Sequence, residues 1–141
     1  DFQNKATVSY TVFALRNIQY TGYMDISIEA SKEIDIKVTG KILVPKEYQT
    51  PKNKFQILKD LETTMPILQS VAKSPFGKHL VSTSGTFIWH HINSSRERQR
   101  PELSHQIVSD YENTLSFNYK IKKNQNLNFA PRVQFRVKRS G

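Results

Sequence analysis

Residues 34–44, IDIKVTGKILV, are the stretch that decides the fold. Every even-numbered position except Gly40 carries Ile or Val, whereas the odd-numbered positions up to Lys41 carry Asp, Lys or Thr. Because side chains alternate between the two faces of a β-strand, this pattern predicts a strand with one buried and one solvated face. The alternation recurs upstream between residues 18 and 28, residues 7–15 are a weaker candidate, and residues 31–33 are a plausible turn.

Residues 51–73 depart from this pattern. Their apolar side chains recur at steps of three or four, which is typical of one face of a helix; they are Phe55, Leu58, Leu61, Met65, Leu68 and Ala72. Thr50 before Pro51 suits an N-cap followed by proline at the first helical position. Pro66 interrupts the segment, which predicts a kink or two short helices because proline removes a helical hydrogen bond.

Strand-like alternation returns in the second half of the chain. It lies in residues 78–92, 115–121 and 127–137, and residues 124–126 offer a turn between the last two. Pro131 predicts an edge strand or a bulge for the last of these. We therefore predict an α+β fold, an antiparallel sheet with a helical segment over about residues 51–73 inserted between two groups of strands.

Length and charge set the broad class. A chain of 141 residues predicts one domain spanning residues 1–141. The net charge of +9 and the isoelectric point near 9.8 predict an acidic partner such as nucleic acid, anionic lipid or acidic protein. The chain has no cysteine, which excludes thiolate metal sites and cysteine nucleophiles.

Signals for catalysis are sparse. The five glycines do not cluster into a phosphate-binding loop. His90 and His91 are adjacent and would point to opposite faces of a strand, and His79 and His105 have no carboxylate at a metal-ligand spacing. A serine nucleophile would need an orienting acid that no motif announces. We predict a protein that is not an enzyme and has no cofactor, metal or small-molecule substrate.

The C-terminal region is exclusively basic. From residue 113 onward there is no acid, and there are seven cationic residues: Lys120, Lys122, Lys123, Arg132, Arg136, Lys138 and Arg139. If residues 115–121 and 127–137 form a hairpin, most of these side chains share its solvated face. Like charges on paired strands repel, so we predict that this face binds RNA or anionic lipid. The alternative is a solvated edge whose cationic side chains prevent aggregation.

A second basic group lies in the polar loop of residues 93–101. It consists of Arg96, Arg98 and Arg100. Either it is a second contact site for the anionic partner or it only makes the loop soluble.

The order of pieces in the first half of the chain also carries a resemblance. A strand at residues 33–44 leads through a basic proline loop into the predicted helix, which ends in KSPFGKHL at residues 73–80. Upstream lies YTGYMD at residues 20–25. Over about residues 20–86 this arrangement resembles the core of rhabdovirus matrix proteins. The chain departs from the animal-virus members in having no long lysine-rich N-terminal arm and no proline-rich late-budding motif.

The resemblance implies a viral matrix-type structural protein. Such a protein self-associates, with Pro75 and Phe76 the segment where the match is best, and bridges the ribonucleoprotein or RNA and the anionic inner face of a membrane. It would be found in the virion and the host cytoplasm. The alternative hypothesis is an exported or periplasmic α+β protein-binding module of a secretion or conjugation assembly, located in the periplasm or outside the cell.

Overall fold

The computed structural model describes residues 5–18, 20–59, 64–89 and 101–139, which form nine β-strands and no helix. The strands are β1 (Ala6–Ala14), β2 (Thr21–Ala30), β3 (Ile34–Leu43), β4 (Gln49–Lys59), β5 (Thr64–Lys73), β6 (His79–Trp89), β7 (Leu103–Ser109), β8 (Glu112–Ile121) and β9 (Asn126–Arg139). A six-stranded sheet has the order β1-β2-β9-β6-β5-β4, and a three-stranded sheet has the order β3-β8-β7. All neighbouring strands are antiparallel.

The strand predicted at residues 34–44 is confirmed as β3. Its even-numbered side chains turn toward the six-stranded sheet, where Ile36 and Val38 pack against the core, whereas Asp35 and Lys37 are exposed. The short connection at residues 31–33 carries the chain from one sheet to the other.

The helix predicted at residues 51–73 is wrong, and so is the α+β class. This segment supplies β4 and β5, which pair as antiparallel strands with Phe55 opposite Leu68 and Leu58 opposite Met65. The apparent helical spacing arises because β4 carries apolar residues on both faces near its turn to β5, so that steps of three residues occur within a strand. Pro66 also fits a strand better than a helix interior, where proline costs about 3 kcal/mol. The β5–β6 ladder begins beyond it, at Leu68.

The predicted pairing of residues 115–121 with 127–137 is also wrong. These segments are β8 and β9, and they lie in different sheets. β9 is a central strand, not an edge strand, because it pairs with both β2 and β6. Pro131 still affects strand pairing, because the ladder between β9 and β2 is interrupted between Phe129 and Arg132.

An aromatic cluster joins the two sheets. Phe117 of β8 packs edge-on against Phe87 of β6 at 5.2 Å and against Phe129 of β9 at 5.3 Å between ring centroids. Such pairs add about 0.5–1.5 kcal/mol each beyond the burial of their surface. Gly40 lets the backbone of β3 lie close to the ring of Phe87, because a Cβ at this position would lie only 3.0 Å from Cζ of Phe87. The core therefore belongs to a β-sandwich.

A buried polar bridge also crosses between the sheets. The amide of Asn113 in β8 donates to the hydroxyl of Ser70 in β5 at 3.0 Å, and that hydroxyl donates to Oδ1 of Asn53 in β4 at 2.6 Å. Asn53 in turn donates to the backbone carbonyls of Ser109 and Asp110. Asn113 is fully buried, so the bridge fixes the position of β8 over β4 and β5.

Candidate functional surfaces

The structure does not bring the seven C-terminal basic residues together. Lys120 lies on the outer face of the three-stranded sheet, with its Nζ 3.6 Å from Glu33 and 3.9 Å from Asp35. Lys122 and Lys123 follow in the connection between β8 and β9. This group is therefore partly neutralised by carboxylates that precede it in the sequence.

The other four basic residues belong to β9 in the six-stranded sheet. Arg132, Arg136 and Lys138 point to its outer face, where they are paired with residues of β6, and Arg139 points to the opposite face. The two outer faces are on opposite sides of the sandwich. The predicted single basic face is thus divided in two, and contact of either half with an anion stays a prediction.

The remaining predicted site residues have simple positions. Pro75 and Phe76 lie in the turn between β5 and β6, where the Pro75 carbonyl accepts a hydrogen bond from Gln49 at 2.7 Å and Phe76 is exposed. Gly77 completes this turn with φ +69°, a conformation that favours glycine. Arg96, Arg98 and Arg100 lie outside the described residues.

A shallow polar groove of about 480 Å³ runs over the outer face of the three-stranded sheet. Its lining includes Lys37, Thr39, Lys41, Gln106, Thr114 and Ser116. Glu112 is the only carboxylate in this lining, and its Oε1 lies 3.1 Å from Nζ of Lys41. A single carboxylate held by a lysine provides no pair of carboxyl groups for general acid and base chemistry.

The inner face of the six-stranded sheet extends beyond the three-stranded sheet that covers it. β3 contacts β5 and β6, β8 contacts β5, and His105 of β7 stacks on Phe55 of β4 at 3.8 Å. Residues paired across a ladder share a face. Val8, Tyr10 and Val12 of β1 are paired with Ile28, Ile26 and Met24 of β2, so they point to the same side as the core.

These β1 side chains nevertheless remain in contact with solvent. Together with Phe135 and Val137 of β9, which share their face, they are between 46% and 69% exposed. We call these five residues, Val8, Tyr10, Val12, Phe135 and Val137, the uncovered face. Tyr20 adjoins it, because its carbonyl accepts the N–H of Phe135 at 2.8 Å. A chain that carries 23% charged residues therefore presents five exposed apolar side chains on one side of a sheet.

The outer side of β1 and β2, opposite the uncovered face, carries a pair of neighbouring aromatic rings. Phe13 of β1 packs near Tyr23 of β2, with 6.1 Å between ring centroids. Burial raises the pKa of Tyr23, and the Asp25 carboxylate raises it further.

The sequence showed the uncovered face only as a weak alternation at residues 7–15, and nothing in that pattern distinguishes an exposed apolar face from a buried one.

The described residues contain no group of three or more His, Asp or Glu side chains placed to hold a metal ion. No helix capable of crossing a membrane was found among them.

The comparisons with known proteins point to carbohydrate-active enzymes. No family profile matches the chain. A kojibiose hydrolase of Flavobacterium johnsoniae is 29% identical over 129 residues, which are 92% of this chain and 18% of that protein. A kojibiose hydrolase of Mucilaginibacter mallensis is 24% identical over 130 residues, which are 92% of this chain and 19% of the relative. The chain thus spans about a fifth of the length of these relatives.

A solved structure shares the fold. It is assigned as a kojibiose phosphorylase from the human microbiome and superposes with a TM-score of 0.61 at 14% identity. The superposition covers 97% of this chain and 17% of that one. The β-sandwich therefore recurs as a small part of a much longer protein.

These findings correct the predicted function. The resemblance to rhabdovirus matrix proteins is wrong, because it relied on a helix that the structure replaces with β4 and β5 and because the relatives are kojibiose hydrolases. The matrix role, the secretion-module alternative and the RNA, membrane and self-association partners are corrected with it. The prediction of a protein that is not an enzyme and has no small-molecule substrate is corrected as well, since the relatives are enzymes named for a sugar.

Proposed function

We propose that this chain is the β-sandwich portion of an enzyme that acts on kojibiose or a closely related glucose disaccharide. The observation that carries the proposal is the match to kojibiose hydrolases from two organisms over 92% of the chain. The fold shared with a kojibiose phosphorylase structure supports it. Residues 1–141 form one structural unit of that enzyme.

In this proposal the reacting carboxylates lie mainly outside the β-sandwich. Among the described acids, Glu112 lies in the groove beside Lys41, while Glu33 and Asp35 are exposed next to Lys120. None of these arrangements encloses a sugar between two carboxyl groups, which stand about 5–10 Å apart in glycosidases. The β-sandwich is therefore a non-catalytic part of the proposed enzyme, and the catalytic carboxylates belong to another part of the longer chain.

Hydrolysis is the reaction that we favour over phosphorolysis. The sequence matches are to hydrolases, whereas the phosphorylase shares the fold at only 14% identity. In hydrolysis water cleaves the glycosidic bond and two glucose molecules leave. In phosphorolysis inorganic phosphate takes the place of water, and glucose 1-phosphate leaves with one glucose.

The test is to assay the complete gene product that carries this chain with kojibiose, in the presence and absence of inorganic phosphate. We expect two glucose molecules per kojibiose without phosphate, and slower turnover of maltose and trehalose. We expect the 141-residue chain alone to be inactive. If glucose 1-phosphate forms, and only when inorganic phosphate is present, the reaction is phosphorolysis and not hydrolysis. No turnover of kojibiose under either condition would refute the proposed function.

A further inference from the structure

We infer that the uncovered face is the contact surface for the rest of the longer enzyme, an inference that rests on the proposed function. The occupant to which we commit is a β-structured, apolar segment of the same polypeptide. It pairs with the edge of β1 that no described strand occupies and lays apolar side chains over Val8, Tyr10 and Val12.

The uncovered face continues the apolar core of the sandwich. Ile28 of β2 and Leu127 of β9 are buried beneath the three-stranded sheet, and Val8 extends the same row on β1. Val8 is nevertheless 55% exposed. The apolar inner face of the six-stranded sheet thus extends past the three-stranded sheet that covers the rest of it. This is expected of an interface that another segment completes.

The edge of β1 lacks the features that ordinarily protect an edge strand. β1 is nine residues long, its sequence is ATVSYTVFA, and it contains no charged residue and no proline. An exposed strand edge offers unpaired backbone groups, and proteins ordinarily protect such edges with charge, proline or a bulge. A long, neutral edge strand rich in valine and aromatic residues is prone to aggregation unless another strand pairs with it.

The proposed longer enzyme can supply the segment that covers the face. The matched relatives are about five times as long as the segment that they share with this chain, so most of their length is available to cover the face. β1 and the exposed end of β9 have only uncharged side chains on this face up to Val137. An apolar partner segment therefore fits better than a charged one.

The test compares Val12→Glu with Thr11→Glu, its neighbour on the opposite face of β1, in the complete gene product and in the isolated chain. In the complete protein we expect Val12→Glu to lower the melting temperature by several degrees or to expose the sandwich to proteolysis, because it buries a carboxylate among apolar groups. Thr11→Glu should leave both properties close to those of the parent. In the isolated chain the two variants should behave alike, because both positions are solvated there.

A second variant keeps the test decisive if Val12→Glu prevents production of the complete protein. Val12→Thr keeps the shape of the side chain and replaces one methyl group with a hydroxyl group, and it should lower the melting temperature of the complete protein more than that of the isolated chain. Equal responses to inner-face and outer-face variants in the complete protein would overturn the inference. Dissociation of an oligomer by Val12→Glu, with each subunit remaining stable, would assign the face to a second copy and also overturn it.

These readouts are independent of sugar turnover. A complete protein that does not act on kojibiose but responds only to inner-face changes would refute the proposed function and support the interface. A complete protein that hydrolyses kojibiose but responds equally to inner-face and outer-face substitutions would support the proposed function and refute the interface.

Discussion

β4 and β1 are the two edge strands of the same six-stranded sheet, and their sequences differ in the features that keep an edge soluble. β4 carries Lys52, Lys54 and Lys59 together with Pro51, and its register to β5 shifts between residues 49 and 52. β1 has no charge, no proline and no interruption in its ladder to β2. β4 therefore has the protection of an edge that faces water, and β1 lacks it.

The difference shows that the two ends of one sheet are adapted to different surroundings. At the β4 end the inner face is closed by the three-stranded sheet, through the stacking of Phe55 on His105 and the bridge from Asn53 to Asn113. At the β1 end no described element covers Tyr10 and Val12. The first end is closed within this chain, whereas the proposed interface assigns the cover of the second end to the longer enzyme.

The largest effect that separates the two ends is expected from a pair of phenylalanines on one strand and one face. Phe129 is 1% exposed and Phe135 is 46% exposed, and both lie on β9. Phe129→Ala should lower the free energy of unfolding of the isolated chain by about 3–5 kcal/mol. Phe135→Ala should lower it by only about 1 kcal/mol, because nearly half of its surface is already solvated and its removal leaves no enclosed cavity. Equal losses in urea denaturation would break the distinction.

A smaller loss is expected from the polar bridge at the covered end. Asn113→Ala removes the donor to Ser70 within a buried network, which should cost about 1–3 kcal/mol. Asn118 is the matched control, since it lies on the exposed face of the same strand, and Asn118→Ala should change stability by no more than about 0.5 kcal/mol. Thermal unfolding of both variants measures the difference. Similar melting temperatures would show that the bridge does not hold the sheets together.

The smallest effect on stability, but a visible one on solubility, is expected at the protected edge. Replacing Lys52 and Lys54 together by Thr should change the free energy of unfolding by no more than about 0.5 kcal/mol, because both side chains are exposed. The variant should aggregate faster, since the edge loses its charges. Light scattering of the isolated chain measures the rate. Introducing Ser9→Lys and Thr11→Lys into β1 should slow aggregation, and no change in either variant would contradict the role given to edge charge.

The sequence predicted those strands whose two faces differ in polarity. β3 follows this rule, and its alternation was sufficient to locate it within one residue. β4 and β5 do not, because the end of β4 next to the turn carries apolar residues on both faces: the neighbours Ile57 and Leu58 are both exposed. Their combined spacing imitates a helix, and only the pairing of Phe55 with Leu68 reveals the hairpin.

The candidate surfaces were harder to predict than the strands. The basic residues of β8 and β9 are close in sequence, but the chain crosses from one sheet to the other between Ile121 and Asn126, which separates Lys120 from Arg136. The sequence pattern gave no indication of this crossing. The uncovered face has the same alternation as a buried strand, so its exposure follows only from the unequal widths of the two sheets.

The most direct test of the central claim uses the absence of cysteine from this chain. Val12→Cys and Thr11→Cys are each introduced into the isolated chain and into the complete gene product, and maleimide labelling of the peptide containing residues 11 and 12 is followed by mass spectrometry. Both positions should label readily in the isolated chain. In the complete protein Thr11→Cys should still label, whereas Val12→Cys should label at least about tenfold more slowly if covering the face protects it by 1.4 kcal/mol or more. Equal labelling of Val12→Cys in the two proteins would contradict the claim that the rest of the enzyme covers this face.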